Sequence, residues 1–144
     1  MSTLENAIII AARAHAGQVD KAGKPYILHP LRVMLHVSNL EERITAVLHD
    51  VIEDTGVTYE YLSAEGFPFE ILEALQALTK LDGEERIDAA RRAAVNPIAR
   101  EVKIADVKDN MNLNIIPNPT PRDLERIEEY KEVLNYLLNH RDPR

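Results

Sequence analysis

Apolar residues recur every three to four positions along most of the chain, and this period predicts α-helices. The first predicted helix is STLENAIIIAARAHAG, whose apolar positions run from Leu4 to Ala11. A capping box from Ser2 to Glu5 begins this segment, and Gly17 ends it. We therefore expect the chain to open with an amphipathic helix.

Seven more segments carry a helical pattern, and no alternating pattern is long enough to build a sheet. Pro30 falls in the first turn of the second segment, where proline is tolerated. The loops KAGKPY and NIIPNPTP interrupt the series. The segments are HPLRVMLHVSNL, EERITAVLHDVIEDT, TYEYLSAEGF, PFEILEALQALTKL, EERIDAARRAAV, PIAREVKIADVKDNMNL and RDLERIEEYKEVLNYLLNH. This pattern predicts an all-α fold, an irregular helical bundle, with residues 1–144 in one domain.

Composition supports a folded core and narrows the chemistry. Hydrophobic residues make up 45% of the 144 residues, which is enough for a core. Cysteine is absent, so a metal site must use nitrogen and oxygen ligands. The net charge of −7 argues against nucleic acid as a partner, because duplex binding needs a basic surface.

The apolar runs of the sequence bear on the cellular location of the protein and on its oligomeric state. None approaches the roughly 20 residues that cross a bilayer, and Glu5 precedes the first run where a signal peptide would be basic. We therefore expect a cytoplasmic protein without a membrane partner. The last segment has an apolar stripe that could bury within one chain or in a homodimer, formed by Leu124, Ile127, Leu134 and either Leu137 or Leu138.

The segment AVLHDVIEDT places acidic residues and a histidine inside an apolar helical pattern. His49 and Glu53 are four positions apart, as are Asp50 and Asp54, so one continuous helix would present all four to the same side. Buried carboxylates are costly without a partner, and four such groups repel each other without a cation. A metal ion is one such partner.

Two other segments carry similar groups. His29 stands just before Pro30 at the start of a predicted helix, and Asp106 follows an apolar stretch in KIADVKDNMNL. With His49 and Asp50 they supply two nitrogen and two oxygen ligands. Such ligands suit a borderline or hard divalent cation, of which Mn²⁺ fits best and Fe, Zn, Ni or Mg remain open. Positions left for water and substrate favour hydrolysis.

Three stretches occur in the order and spacing typical of the HD-domain superfamily: AHAGQVDKAGKPYILHPLRVM, AVLHDVIEDT and KIADVKDNM. They resemble most closely the hydrolase domain of the Rel/Spo alarmone enzymes and the small alarmone hydrolases, from about Leu4 to about Leu138. The resemblance implies an α-helical fold with one Mn²⁺. By motif match, the metal ligands are His29, His49, Asp50 and Asp106.

The resemblance also implies a reaction, the release of pyrophosphate from the 3′ position of (p)ppGpp to leave GDP or GTP. Only the degrading direction is expected, because 144 residues leave no room for the synthetase domain. Glu53 and Asp54 match the pair that positions and deprotonates the attacking water. The candidate substrate-binding residues are Lys21, Lys80 and Arg126 for phosphate oxygens, Tyr130 for ribose or base, and Asn110 after the KIAD aspartate.

The chain departs from the resembled pattern where the nucleotide is read. The loop GQ-x-R-K becomes GQVDK, so Asp20 replaces an arginine and cannot stack as a guanidinium does. The pattern AD-R/K-L-H/Y-N becomes ADVKDN, with Val107 and Asp109 at the altered positions, and NMR becomes NMN at Asn112. These changes leave (p)ppApp open as a related substrate.

Two other functions stay open at this point. An HD-family phosphomonoesterase acting on NADPH or a nucleoside monophosphate would release orthophosphate instead of pyrophosphate. A non-catalytic module would bind a nucleotide without turning it over, although the six intact metal and water residues argue against this function.

Overall fold

The computed structural model describes residues 3–112, 116 and 118–141. These residues form nine helices and no strand, which confirms the predicted all-α class, and Val19 and Pro25 make one isolated bridge. The helices are α1 (Leu4–Ala14), α2 (Leu28–Leu35), α3 (Leu40–Leu48), α4 (Val51–Asp54), α5 (Tyr59–Ala64), α6 (Phe69–Leu78), α7 (Arg86–Ala94), α8 (Pro97–Asn110) and α9 (Pro121–Asn139).

Most helices begin where a side chain can accept a hydrogen bond from a free backbone N–H. Thr3, Asn39, Thr58, Asn96 and Thr120 each cap a helix in this way. The first helix thus begins after Thr3, whereas Ser2 of the predicted capping box lies outside the described residues. The complete capping box of the structure joins Thr120 and Asp123 at the start of α9.

The prediction of one helix through HDVIEDT was wrong. Helix α3 ends at Leu48 and α4 begins at Val51. In a continuous helix the Ala46 carbonyl would accept from the N–H of Asp50. Instead it accepts from the backbone N–H of His49 at 3.3 Å and from His49 Nδ1 at 2.6 Å. The imidazole therefore takes the place of the next helical hydrogen bond.

The buried core is arranged around α3 and α8. The largest cluster joins α1, α3 and α6 through residues such as Ala7, Val47 and Leu75. A second cluster packs α7 and α9 against α8. A third joins α2, α3 and α8 through Val33, Ala46 and Val102. The candidate ligands lie on α2, on α8 and directly after α3. Within the part of the chain that the structure describes, no helix combines the length and apolar character needed to cross a bilayer.

The predicted apolar stripe of α9 is only partly buried. Ile127 and Leu137 are buried, and Val133, which the predicted stripe omitted, joins them in the core. Leu124 is 50% exposed and Leu138 is 39% exposed. Helix α9 packs against α7 and α8 along a narrower face than the leucine spacing predicts.

Candidate metal centre and adjoining cavity

The four predicted ligands meet at one buried point. His29 lies on α2, Asp106 lies on α8, and His49 and Asp50 occupy the break between α3 and α4. The Nε2 atom of His29 is 2.9 Å from Asp106 Oδ1 and 3.7 Å from Asp50 Oδ2. The Nε2 atom of His49 is 3.1 Å from Asp50 Oδ2 and 3.4 Å from Asp106 Oδ1. Two imidazoles and two carboxylates therefore face one another.

The break in the helix explains how adjacent residues reach the same point. Neighbouring positions in a regular helix do not face each other. Because the backbone turns at His49 and Asp50, both side chains project into the cluster. Potential ligand atoms of His29, His49 and Asp50 all lie within 4.8 Å of one another.

The electrostatics of the cluster favour a positive charge. Burial lowers the pKa of His29, but hydrogen bonds with Asp106 and Asp109 outweigh burial and raise it to about 9. Burial opposes the charged form of His49 as well, yet the carboxylates of Asp50 and Asp106 raise its pKa well above the ordinary value. The pKa of Asp106 is held well below its usual range despite burial, because Lys103 and His49 are close to it.

These residues fit a divalent cation. His49 Nδ1 donates to the carbonyl of Ala46, so Nε2 is the nitrogen at which a cation would bind in place of a proton. That Nε2 atom is buried and has no hydrogen-bond partner in the part of the chain that the structure describes, although it lies 3.1 Å from Asp50 Oδ2 and 3.4 Å from Asp106 Oδ1. Imidazole nitrogen and carboxylate oxygen are ligands that divalent transition metals accept. The donor set and the unpartnered nitrogen are thus what a metal centre requires.

Three side chains hold the two candidate carboxylate ligands in place. The hydroxyl of Tyr26 donates to Asp50 Oδ2 at 2.6 Å. Lys103 Nζ donates to Asp106 Oδ2 at 3.1 Å, and Asn110 Nδ2 donates to Asp106 Oδ1 at 3.2 Å. Supporting bonds of this kind orient metal ligands. Sequence reasoning missed Tyr26 and Lys103, although Lys103 stands three positions before Asp106 on the same face of α8.

Asp109 also touches the cluster, through His29. Its Oδ2 atom accepts from His29 Nδ1 at 2.6 Å, and Arg32 binds both carboxylate oxygens at 2.8 and 3.0 Å. The sequence marked Asp109 as a departure without assigning it a role, and it passed over Arg32. The spacing contained a signal, since His29 and Arg32 are three apart on α2 and Asp106 and Asp109 are three apart on α8.

Glu53 and Asp54 lie at the end of α4, next to the cluster in the chain. Desolvation and the negative charge of Asp50 raise the pKa of Asp54. Desolvation also raises the pKa of Glu53, although the backbone N–H of Lys80 donates to Glu53 Oε1 at 3.1 Å and opposes this rise. A raised pKa makes a carboxylate a better proton acceptor near neutral pH.

A cavity of about 330 Å³ opens beside His29. Four of the five predicted substrate-binding residues line it, namely Lys21, Asn110, Arg126 and Tyr130. The structure does not bring Lys80 to this cavity, because Lys80 is exposed on the loop after α6 and contacts Glu53 through its backbone. One wall of the cavity comes from the loop between α1 and α2 and another from α9.

The cations of the cavity differ in their partners. Lys21 Nζ is 2.6 Å from Asp123 Oδ1, and Arg32 is held by Asp109. Arg126 forms no ion pair with the described residues, and its Nε atom is buried without a hydrogen-bond partner. Arg126 is therefore the cavity cation most open to an anionic ligand.

Besides Asp109, three positions depart from the resembled pattern, and they lie in different parts of the structure. Asp20 lines the cavity, but its Oδ1 atom accepts from the backbone N–H groups of Ala22 and Lys24 and closes the loop. Val107 is fully buried in the core beside α9. Asn112 lines a second cavity of about 200 Å³ together with Lys108. Of these three, only Asp20 contributes to the wall of the larger cavity.

Comparisons with known proteins agree with this geometry. The chain is 37% identical over 124 residues to the probable GTP pyrophosphokinase of Mycobacterium leprae (strain TN), covering 77% of this chain and 16% of that protein. It is 34% identical over 110 residues to the bifunctional (p)ppGpp synthase/hydrolase SpoT of Escherichia coli (strain K12), covering 74% and 15%. The chain thus matches about one sixth of the length of these curated relatives.

A solved structure shows the same fold. It is a metazoan ortholog of SpoT described as hydrolysing ppGpp, and it aligns with a TM-score of 0.74 over 97% of this chain and 85% of the other, at 22% sequence identity. The model of the HD domain family matches residues 7–110, a range that holds all four candidate ligands and the helices that carry them. The chain belongs to the HD domain family.

Proposed function

We propose that this chain catalyses the metal-dependent hydrolysis of a phosphorylated nucleotide. The leading substrate is (p)ppGpp or a related alarmone such as (p)ppApp, from which the 3′-pyrophosphate is removed. The observation that carries this proposal is the buried convergence of His29, His49, Asp50 and Asp106 beside a cavity whose Arg126 has no ion-pair partner among the described residues. The names of the relatives, which include a (p)ppGpp synthase/hydrolase, supply the substrate class.

The proposed metal is Mn²⁺, held by His29, His49, Asp50 and Asp106. When bound, such a cation supplies Lewis acidity, which acidifies water and neutralises phosphate charge. The residues of the chain would do the remaining work. Asp54, with its raised pKa, would accept a proton from the attacking water, and Glu53 would orient that water.

The proposed reaction breaks the bond between O3′ and phosphorus. The oxygen of water bonds to that phosphorus and one water proton passes to the carboxylate. The leaving O3′ takes up a proton from solvent and becomes a hydroxyl. The products are pyrophosphate and GDP or GTP. Arg126 and Lys21 would bind phosphate oxygens, Tyr130 would pack on ribose or base, and Asn110 would contact the substrate from α8.

Asp20 bears on the choice of base. Because Oδ1 of Asp20 accepts two backbone N–H groups, this carboxylate first stabilises the loop that carries Lys21. We propose that Asp20 influences the preference for guanine over adenine less than it influences the stability of this loop. Comparing ppGpp with ppApp for the wild type and for Asp20→Asn measures the effect directly.

The experiment that tests the function is a product assay. Metal-depleted protein is reloaded with Mn²⁺, Zn²⁺, Fe²⁺, Ni²⁺ or Mg²⁺ and offered ppGpp, ppApp, NADPH and nucleoside monophosphates, and the products are separated by anion exchange. We expect pyrophosphate from an alarmone with Mn²⁺. Orthophosphate from a monoester would replace the alarmone function by phosphomonoesterase activity, and binding without any product would replace it by a non-catalytic role.

Two variants serve as controls in this assay. Asp50→Ala removes a candidate ligand and should abolish the product. Asp88→Ala removes a carboxylate on α7 that is 52% exposed and should leave the rate unchanged. Equal loss in both variants would show that the assay reports general damage to the fold.

Three features beyond the chemistry are also proposed. We take residues 1–144 as one hydrolase domain, place the protein in the cytoplasm, and leave a homodimer as a prediction for light scattering. The exposed Leu124 and Leu138 of α9 are the residues that such a dimer would cover.

A further inference from the structure

Three side chains lie in a line that leads from the cavity wall to the proposed metal centre. Arg32 donates through Nε to Asp109 Oδ1 at 2.8 Å and through Nη2 to Asp109 Oδ2 at 3.0 Å. Asp109 Oδ2 is 2.6 Å from His29 Nδ1. The side chains of His29 and Asp109 are each 9% exposed, and that of Arg32 is 30% exposed. These contacts thus connect Arg32, which is half-buried, through Asp109 to the buried candidate ligand His29.

The contact with Asp109 decides which nitrogen of His29 can bind a metal. An ionised carboxylate only accepts hydrogen bonds, so Nδ1 of His29 must carry the proton. Nε2 is 2.9 Å from Asp106 Oδ1 and 3.7 Å from Asp50 Oδ2, so it carries a proton while no metal is bound and is the nitrogen at which a cation would replace that proton. A carboxylate behind a histidine ligand fixes the ring orientation and makes the ligand more basic.

The two histidines of the cluster are oriented by different partners. His49 donates Nδ1–H to the backbone carbonyl of Ala46, which is part of the fold and cannot be removed by a side-chain substitution. His29 depends on the side chain of Asp109. At Nε2 His29 also contacts the candidate ligand Asp106, at 2.9 Å. At Nδ1, the side away from the cluster, His29 is therefore held by a side chain and His49 by the backbone.

Arg32 explains how Asp109 can stay ionised in this place. Asp109 lies three residues from Asp106 on α8, so two carboxylates face α2 on the same side of the helix. A bidentate guanidinium compensates the second negative charge and holds the carboxylate plane. Both Arg32 and His29 project from α2, which makes the pair a link between α2 and α8.

We propose that Asp109 is a positioning residue that holds His29 in its metal-binding tautomer, with Arg32 as the counter-ion of Asp109. This inference rests on the proposed function only in that it requires a metal at the cluster. It needs no particular substrate. It also gives a role to a residue at which the chain departs from the pattern of the enzymes that it resembles.

Metal affinity is the first measurement. Titration of metal-depleted protein with Mn²⁺, followed by electron paramagnetic resonance of the free ion, should show about 10- to 100-fold weaker binding for Asp109→Leu. Asp109→Asn keeps an acceptor oxygen but not the charge, so a smaller loss is expected. Arg32→Met should weaken binding less than Asp109→Leu, and the double variant should bind no worse than Asp109→Leu alone.

The matched control is Asp123→Asn. Asp123 is another carboxylate of the same cavity and is also paired with a cation, Lys21, but it makes no contact with a candidate ligand. Its substitution should leave Mn²⁺ affinity within about twofold of the wild type, in line with the usual additivity of distant sites. Equal weakening by Asp123→Asn would overturn the specific role of Asp109.

The second measurement reports the tautomer itself. In Zn²⁺-loaded protein, long-range ¹H–¹⁵N spectra of the imidazoles should show His29 with a protonated Nδ1 and a metal-bound Nε2. Asp109→Leu should change the His29 signals and leave those of His49 unchanged. If circular dichroism shows that Asp109→Leu does not fold, the His29 and His49 signals of Asp109→Asn are compared with those of the wild type instead.

The outcomes separate this inference from the proposed function. Wild-type Mn²⁺ affinity and wild-type His29 signals in the Asp109 variants would overturn the inference and leave the hydrolase proposal intact. Weakened binding with changed His29 signals would support it even if no alarmone is hydrolysed. Absence of metal binding by the wild type would overturn both.

Discussion

The buried metal cluster and the cavity beside it use charge in different ways. In the cluster, imidazoles and carboxylates face each other at 2.9 to 3.7 Å, and each carboxylate has a further donor, such as Tyr26 or Lys103. In the cavity, half-exposed cations stand along the wall, and Arg126 lacks a carboxylate partner among the described residues. Under the proposed function, the cluster would govern the chemical step and the cavity would govern which nucleotide binds.

The largest expected effect comes from removing a ligand of the cluster. Asp106→Asn should lose bound metal and lower kcat by at least about 10³-fold, because several kcal/mol of charge stabilisation depend on the metal. Metal content and turnover measure this change, with Asp88→Asn as the exposed control. A metal-free variant that retains full turnover would remove the cluster from the mechanism.

The next effect separates proton transfer from metal binding. Asp54→Asn should lower kcat by about 10²-fold or more while metal content stays at the wild-type level, because a general base contributes in this range. The raised pKa of Asp54 should disappear from the acid limb of the pH–rate profile. Loss of metal in this variant would instead make Asp54 part of the cluster.

A smaller effect should come from the cavity. Arg126→Met should raise KM for an alarmone roughly 10-fold with little change in kcat, because one hydrogen bond from a charged group is lost. Arg122→Met on the exposed side of the same helix is the matched control. A fall in kcat without a change in KM would contradict the division of roles between cluster and cavity.

The smallest effect concerns the loop that reaches Glu53. Arg92 binds Glu84 and the carbonyl of Thr79, and the next residue, Lys80, donates to Glu53. The hydrogen bond from Arg92 holds the pKa of Glu84 at about 2. A lowered carboxylate pKa adds stability above the unfolded value of about 4.3, and this stability disappears as the pH falls to about 2.

Glu84→Gln should therefore lower the free energy of unfolding at pH 7 by up to about 1 kcal/mol, the range of surface ion pairs. Near pH 2 the variant and the wild type should unfold at the same temperature. Denaturation followed by circular dichroism measures both conditions, and Glu125→Gln on α9 is the control. A difference that persists at pH 2 would show that packing, not charge, is responsible.

The sequence predicted much of the fold because helical periodicity and capping are local properties. Helices α8 and α9 begin and end close to the predicted limits, and Asn96 and Pro97 mark the start of α8. The break after Leu48 was not predictable, because HDVIEDT satisfies helical spacing. It depends on a hydrogen bond from an imidazole that competes for the Ala46 carbonyl.

For the candidate site, the sequence identified the four groups that meet but not what supports them. His29, His49, Asp50 and Asp106 could be chosen from residue chemistry and motif order alone. The contact of Asp109 with His29 joins positions 80 residues apart, and that of Lys21 with Asp123 joins positions 102 apart. Lys80 fits a phosphate-binding role by charge alone, and the structure places it outside the cavity.

By itself the sequence determined the helical class, the donor atoms and the net negative charge, because each of these depends on residue identity and short-range spacing. Only the tertiary structure decided that adjacent His49 and Asp50 project to one point and that Asp109 orients His29. It also decided that Arg126 faces the cavity without an ion pair to any residue that the structure describes. These features depend on how α2, α3, α8 and α9 pack, and packing is set by contacts between residues that are distant in the chain.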